Sequence, residues 1–101
     1  MANQIGMRGD EVRAQAQVIT GSLLDQFNSL RSSLDNIVTN QIPELWQGAG
    51  ADSYVTRYNE LQPSFDAIRD LITDIGTGLV QNANYYEEAD RAASQANSGK
   101  N

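Results

Sequence analysis

Apolar positions recur at helical spacing in two long blocks. Val12, Ala16, Ile19, Leu23, Phe27, Leu30, Leu34 and Ile37 are three or four residues apart. At about 100° per residue they fall within an arc of roughly 80° on one helix face. Tyr54, Tyr58, Leu61, Phe65, Ile68, Ile72, Ile75, Leu79, Ala83 and Tyr86 repeat the pattern. Each block reads as a helix of about 30–40 residues, roughly 45–60 Å long. The stretch between them holds Pro43, which disfavours helix at its predecessor and places the first helix end near Thr39 to Gln41. Gly48 and Gly50 allow a reversal, and Asp52 or Ser53 supplies an N-cap.

The expectation is therefore one all-α domain spanning residues 1–101, an antiparallel two-helix hairpin. Its helices cover about 9–40 and about 52–93, its turn about 41–51, and both termini are loose and flexible. Pro63 lies inside the second block without shifting its phase, which predicts one bent helix and not two. Folding about Gly48 pairs residue i with roughly residue 96 − i and brings Gly21 and Ser22 near Asp74 to Gly76. That implies either a close approach of small residues or glycines tolerated on a surface.

A lone hairpin buries only the strip where its helices meet. Ile19, Leu23, Phe27, Leu30 and Leu34 on one helix, with Phe65, Ile68 and Ile72 on the other, form the stripe available for core and association. Leu24, Val38, Ile42, Leu71 and Ala89 flank it as a shoulder that a second hairpin would cover. The predicted assembly is a dimer forming a four-helix bundle, a homodimer or a pair with a related chain. The alternative is a monomer with a modest exposed patch.

Charge and composition narrow the function. Seven Lys+Arg against thirteen Asp+Glu give a formal charge of −6, with no His and no Cys. An acidic chain is a poor match for nucleic acid or an anionic membrane. Without His or Cys, nucleophile–base pairs, zinc sites with N or S ligands and disulfides are excluded. Asp66, Asp70 and Asp74 share one face but read as solvated, so no metal and no cofactor are expected. Glu87 and Glu88 have no positioned proton-transfer partner, and the chain reads as a non-enzyme. Its first twenty residues contain no signal-peptide core, and no segment can span a bilayer. By ordinary rules such a protein stays in the cytoplasm where it is made, and export would need an unconventional route.

Trp46, the only Trp, sits in the reversal two residues before Gly48. An indole there can close the end of a hairpin while Gly48 lets the backbone turn. With Trp46-Gln47-Gly48 at mid-chain, the small Gly50 and Ala51 after it, Tyr54, the acidic opening Asp10-Glu11-Val12-Arg13 after Met7, and Leu61-Gln62-Pro63, the sequence resembles the WXG-100 (ESAT-6-like) family of type VII secretion substrates. The resemblance covers nearly the whole chain. It implies a hairpin that dimerises head to tail, secreted without a cleaved signal peptide through a membrane-bound ATPase of the FtsK/SpoIIIE kind. Tyr86-Glu87-Glu88-Ala89-Asp90 matches the family's Tyr-x-x-x-Asp/Glu export signal, with Tyr86 and Asp90 on one helical face. The implied design joins one subunit's Trp46/Gly48 turn to the other's Tyr86/Asp90 tail. Two features depart from the pattern: Ile42-Pro43 lengthens the link, and Gly50 stands where Ala is common.

The leading expectation is a secreted, non-enzymatic substrate, with virulence or effector action as one role after export. A second reading is an accessory chaperone that pairs with the helical domain of a larger secreted toxin. A third is a cytoplasmic coiled-coil-like adaptor.

Overall fold

Ala- and Leu-containing stretches with few β-branched runs favour helix, and the apolar stripes give each helix something to bury. In a computed structural model that describes residues 6–99, helix occupies nearly all of them, and no strand occurs among the described residues. The first arm runs through α1 (Gly9–Val18), a π turn (Ile19–Leu23), α2 (Leu24–Asn36), a second π turn (Ile37–Gln41) and α3 (Ile42–Leu45). The second arm comprises α4 (Ala49–Glu60) and α5 (Gln62–Gly99), separated by the single residue Leu61. The arms lie antiparallel in a rod of 81 × 19 × 18 Å. Its radius of gyration of 22.8 Å far exceeds the ~13 Å of a compact domain of this length.

Element ends differ from expectation in three places. The first arm does not stop near Thr39 to Gln41 but continues to Leu45, because Pro43 sits in the first turn of α3 where its missing N–H costs nothing. The reversal thus shrinks from about 41–51 to Trp46–Gly48, and Gly48, not Asp52 or Ser53, precedes the second arm without a side-chain cap. Beyond residue 93, the tail stays helical through Gly99. Expectations for residues 1–5 and 100–101 lie outside the described residues. Near Pro63 the expected single bent helix is instead two helices divided at Leu61, whose N–H donates to Tyr58 O at 3.0 Å and whose carbonyl accepts from the Ser64 and Phe65 N–H groups at 2.9 and 3.4 Å.

The π turns carry the main correction to side-chain placement. A π turn takes in one residue more than an α turn, so every position beyond it is rotated back by one place. The inward row accordingly passes from Ala16 to Leu24, Arg31 and Val38, an eight-residue step followed by sevens. Val38 is buried and Leu24 and Ile42 are half-buried, so these three belong to the seam and not to the shoulder. Leu71 and Ala89 do remain exposed. The predicted stripe splits in the same way. Ile19, Phe27, Leu34, Phe65 and Ile72 are half-buried in the seam, whereas Leu23, Leu30 and Ile68 point out.

The seam is thin. Among the described residues its buried apolar side chains are Ala16, Val38, Ala51, Tyr58 and Ala83. Phe65 connects its middle, with ring centroids 6.4 Å from Phe27 and 5.9 Å from Tyr58. Of the glycines, Gly76 is the point of close approach: a Cβ there would overlap Cγ2 of Thr20 and stand 3.3 Å from the Ala16 carbonyl oxygen. Gly21 and Gly78 face open space.

A polar cluster fixes the register at mid-rod. The Arg31 guanidinium donates to Asp66 at 2.9 Å and Gln62 Oε1 at 2.6 Å, and lies 5.4 Å over the Phe65 ring. Asp66, expected on a solvated face, and Gln62 therefore face the first arm. Asp35 accepts from the Tyr58 hydroxyl and, at 3.1 Å, from Gln62 Nε2. Donation by Tyr58 and then Gln62 holds the Asp35 carboxyl below its ordinary 3.8. Burial first, then Asp35, raises the Tyr58 hydroxyl. A depressed folded-state carboxyl contributes stability above its unfolded value and loses that contribution as pH falls through the folded value. Melting temperature should therefore drop as pH falls below about 4, and Asp35→Asn should lessen the drop when melting is followed by circular dichroism.

Candidate functional site

Sequence and fold place chemistry at the two ends of the rod and along one face. At the turn end, Gly48 adopts φ 112°, ψ −173°, a region that L side chains avoid. Nothing lies within 4 Å of where its Cβ would be, so the requirement for glycine comes from the backbone alone. Gly48→Ala should cost about 1–3 kcal/mol in urea unfolding. Trp46 does not plug the hairpin. It is 45% exposed, 6.0 Å from the Tyr54 ring, with Cζ2 only 3.1 Å from where a Cβ on Gly50 would stand. Gly50 thus does more than loosen the first turn of α4: it gives the indole a flat seat. Leu45, beside the Trp, is 82% exposed.

At the open end, Tyr86 and Asp90 lie on α5 next to the start of α1. Tyr86, 40% exposed, lines an apolar groove with Met7, Val12 and Leu79, rimmed by Arg8, Glu11 and Gln15. Asp90 lines the adjoining groove with Met7, Tyr86, Glu87 and Arg91. The arms are tied here by Arg13, which donates to Glu87, to Asn84 Oδ1 at 3.0 and 3.1 Å, and to Asp10 at 3.1 Å. The Arg13 hydrogen bond holds the Glu87 carboxyl below its ordinary 4.5. Glu87 reaches across because position 9 is glycine, since a Cβ there would overlap its carboxylate.

Along one face runs a ladder of exposed apolar side chains at heptad spacing. Leu23, Leu30 and Ile37 stand on the first arm, and Ile75, Ile68 and Leu61 at matching levels on the second. Antiparallel arms turn these rows to the same side. The border on the first arm is uncharged, with Ser22, Gln26, Ser29 and Ser33, whereas that on the second arm mixes Ser64, Ala67, Leu71 and Gly78 with the exposed Arg57, Glu60 and Asp74. Tyr86 is in line with Ile68, since eighteen residues make five α-helical turns. The opposite face, with Asn28, Ser32, Thr39, Asn59, Asp70 and Thr73, is polar and exposed. Asp66 pairs with Arg31 and Arg69, and no cluster of three or more acidic groups placed to hold a metal occurs among the described residues.

The mid-chain turn decides the family. The profile described as proteins of 100 residues with WXG matches residues 4–91. The chain belongs to the WXG100 family. Among its relatives, protein YukE of Bacillus subtilis is 31% identical over 94 residues, covering 90% of this chain and 92% of that one. An ESAT-6-like protein of Streptococcus agalactiae is 30% identical over 90 residues, covering 86% and 88%. The crystal structure of Geobacillus thermodenitrificans EsxA superposes with a TM-score of 0.68 at 25% identity, covering 88% of this chain and 94% of that one.

For this WXG100 chain, sequence reasoning did not single out Leu45, Gly9, Arg13, Asn84 or Glu87 as site residues. Arg13 and Glu87 carried a signal, since residue i pairs with about 96 − i and their charges are opposite. Leu45 carried none, because its alignment with the ladder depends on the second π turn.

Proposed function

We propose that the protein is a non-enzymatic substrate of a type VII secretion machine, exported as a folded homodimer. The observation that carries the reading is the position of Tyr86 and Asp90. They are adjacent and accessible on α5 at the open end of a WXG100 hairpin, opposite the end that bears Trp46 and Gly48. A membrane-bound ATPase of the FtsK/SpoIIIE kind would read such a surface through the Tyr86 ring and the Asp90 carboxylate. No described helix is long and apolar enough to cross a membrane itself.

Dimerisation is supported by the ladder. A chain of charge −6 that pairs with its own copy is helped by a contact face poor in like charges, and the Leu23–Ile37 row, bordered by Ser22, Gln26, Ser29 and Ser33, supplies one. Covering the ladder with a second hairpin completes a four-helix bundle. Tyr86→Ala, made in the native cell, should abolish appearance of the protein outside the cell while its helical circular dichroism spectrum is retained. Undiminished secretion of a folded Tyr86→Ala variant would overturn the export reading. Recovery of the native protein with a larger chain would instead assign it to the accessory role.

A further inference from the structure

We infer that Leu45 of one copy seats in the apolar groove at the open end of a second copy, between Met7, Val12, Leu79 and Tyr86. The inference rests on the homodimer proposed above and adds what joins the two ends. Leu45 is 82% exposed, more than any other large apolar side chain described, at a position otherwise occupied by the helix end. Its direction is set by the second π turn. Eight residues separate Ile37 from Leu45, which on a regular α-helix would carry Leu45 about 80° off the ladder. The turn over Ile37–Gln41 takes in one of those residues, so the step acts as a heptad and Leu45 extends the row of Leu23, Leu30 and Ile37.

The groove extends the same ladder in the other direction. Val12 and Tyr86 lie at matching levels beyond Leu23 and Ile75, and Tyr86 is in line with Ile68. A two-fold axis through the central pair, Leu30 and Ile68, superposes antiparallel copies with the most overlap. Leu45 is fifteen residues from Leu30, roughly 22 Å along the helix. The same distance in the opposite direction ends at Gln15, a groove residue one turn from Val12. Leu45 of the partner subunit therefore arrives at the groove mouth. Leu45 and Tyr86 thus tie each turn end to the opposite open end.

The chain has no Cys, so introduced cysteines report contacts without background. Oxidation of the Leu45→Cys, Gln15→Cys double variant should give a covalent dimer at about ten times the yield of either single variant or more, because only the pair comes within disulfide reach. In an antiparallel dimer the two copies of position 45 are roughly 45 Å apart, so Leu45→Cys alone should not cross-link. Leu45→Asp should weaken the dimer about tenfold or more by sedimentation at unchanged helicity, since the side chain packs on nothing within its own hairpin. A dimer of normal mass in which position 45 cross-links to itself but not to 15, or in which Leu45→Asp leaves affinity unchanged, overturns this inference and leaves the homodimer standing. A monomeric unmodified protein overturns the homodimer and the inference together.

Discussion

Leu30→Asp should separate the dimer and lower the stability of the fold with it. Leu30 is 57% exposed in the hairpin at the middle of the apolar ladder, opposite Ile68, so an isolated hairpin loses little by the change. In a two-fold assembly the residue occurs twice at the centre of the interface. Losing the part of two leucines that the interface covers costs roughly 2–3 kcal/mol of apolar burial, and two apposed carboxylates add repulsion. That corresponds to a dissociation constant higher by about two orders of magnitude. The wild-type melting temperature should rise with protein concentration, as it does for any fold coupled to association, and the Leu30→Asp melting temperature should be lower and independent of concentration. Ile68→Asp should behave in the same way, whereas Ser32→Asp on the polar face should change neither property.

Gly76→Ala and Gly78→Ala should shift stability in opposite directions. Both glycines lie inside α5, and in an exposed helix either change would contribute about 1 kcal/mol through helix propensity. Position 78 faces open space, so that gain should be realised. At position 76 the new methyl meets Cγ2 of Thr20 and the Ala16 carbonyl. Thr20 cannot rotate aside freely, because its hydroxyl donates to that same carbonyl at 3.1 Å. Overpacking of this kind costs about 1–3 kcal/mol, which exceeds the propensity gain across most of that range. Urea midpoints of the two variants should therefore bracket the wild type, Gly78→Ala above and Gly76→Ala below.

The contrast between these glycines shows what the sequence carries and what it does not. Antiparallel pairing about Gly48 is enough to bring Gly76 level with Thr20, yet nothing in the local sequence separates Gly76 from Gly78 or Gly21. Helix existence, the hairpin and the reversal at Trp46 follow from periodicity and from the Trp-x-Gly spacing, because both act over a few residues. The rows that face inward do not follow from periodicity alone. Ile19-Thr20-Gly21-Ser22-Leu23 has no feature that marks it as a π turn, yet it moves Leu24 and Val38 into the seam and Leu23 and Leu30 out of it. Pro43 misleads for a related reason. It is unfavourable in the interior of a helix, but the second π turn restarts the α-helix at Ile42 and places it in a first turn. The open-end tie was hidden because Arg13, Asn84 and Glu87 meet only once the arms are in register.

The central claim is that the ladder from Leu23 to Ile37, facing Leu61 to Ile75, is covered by a second copy of the chain. Sedimentation equilibrium of the purified native protein at neutral pH tests it most directly. The account predicts a single species of twice the 11.1 kDa chain mass across the micromolar range. A stably helical species of 11.1 kDa at those concentrations would contradict it.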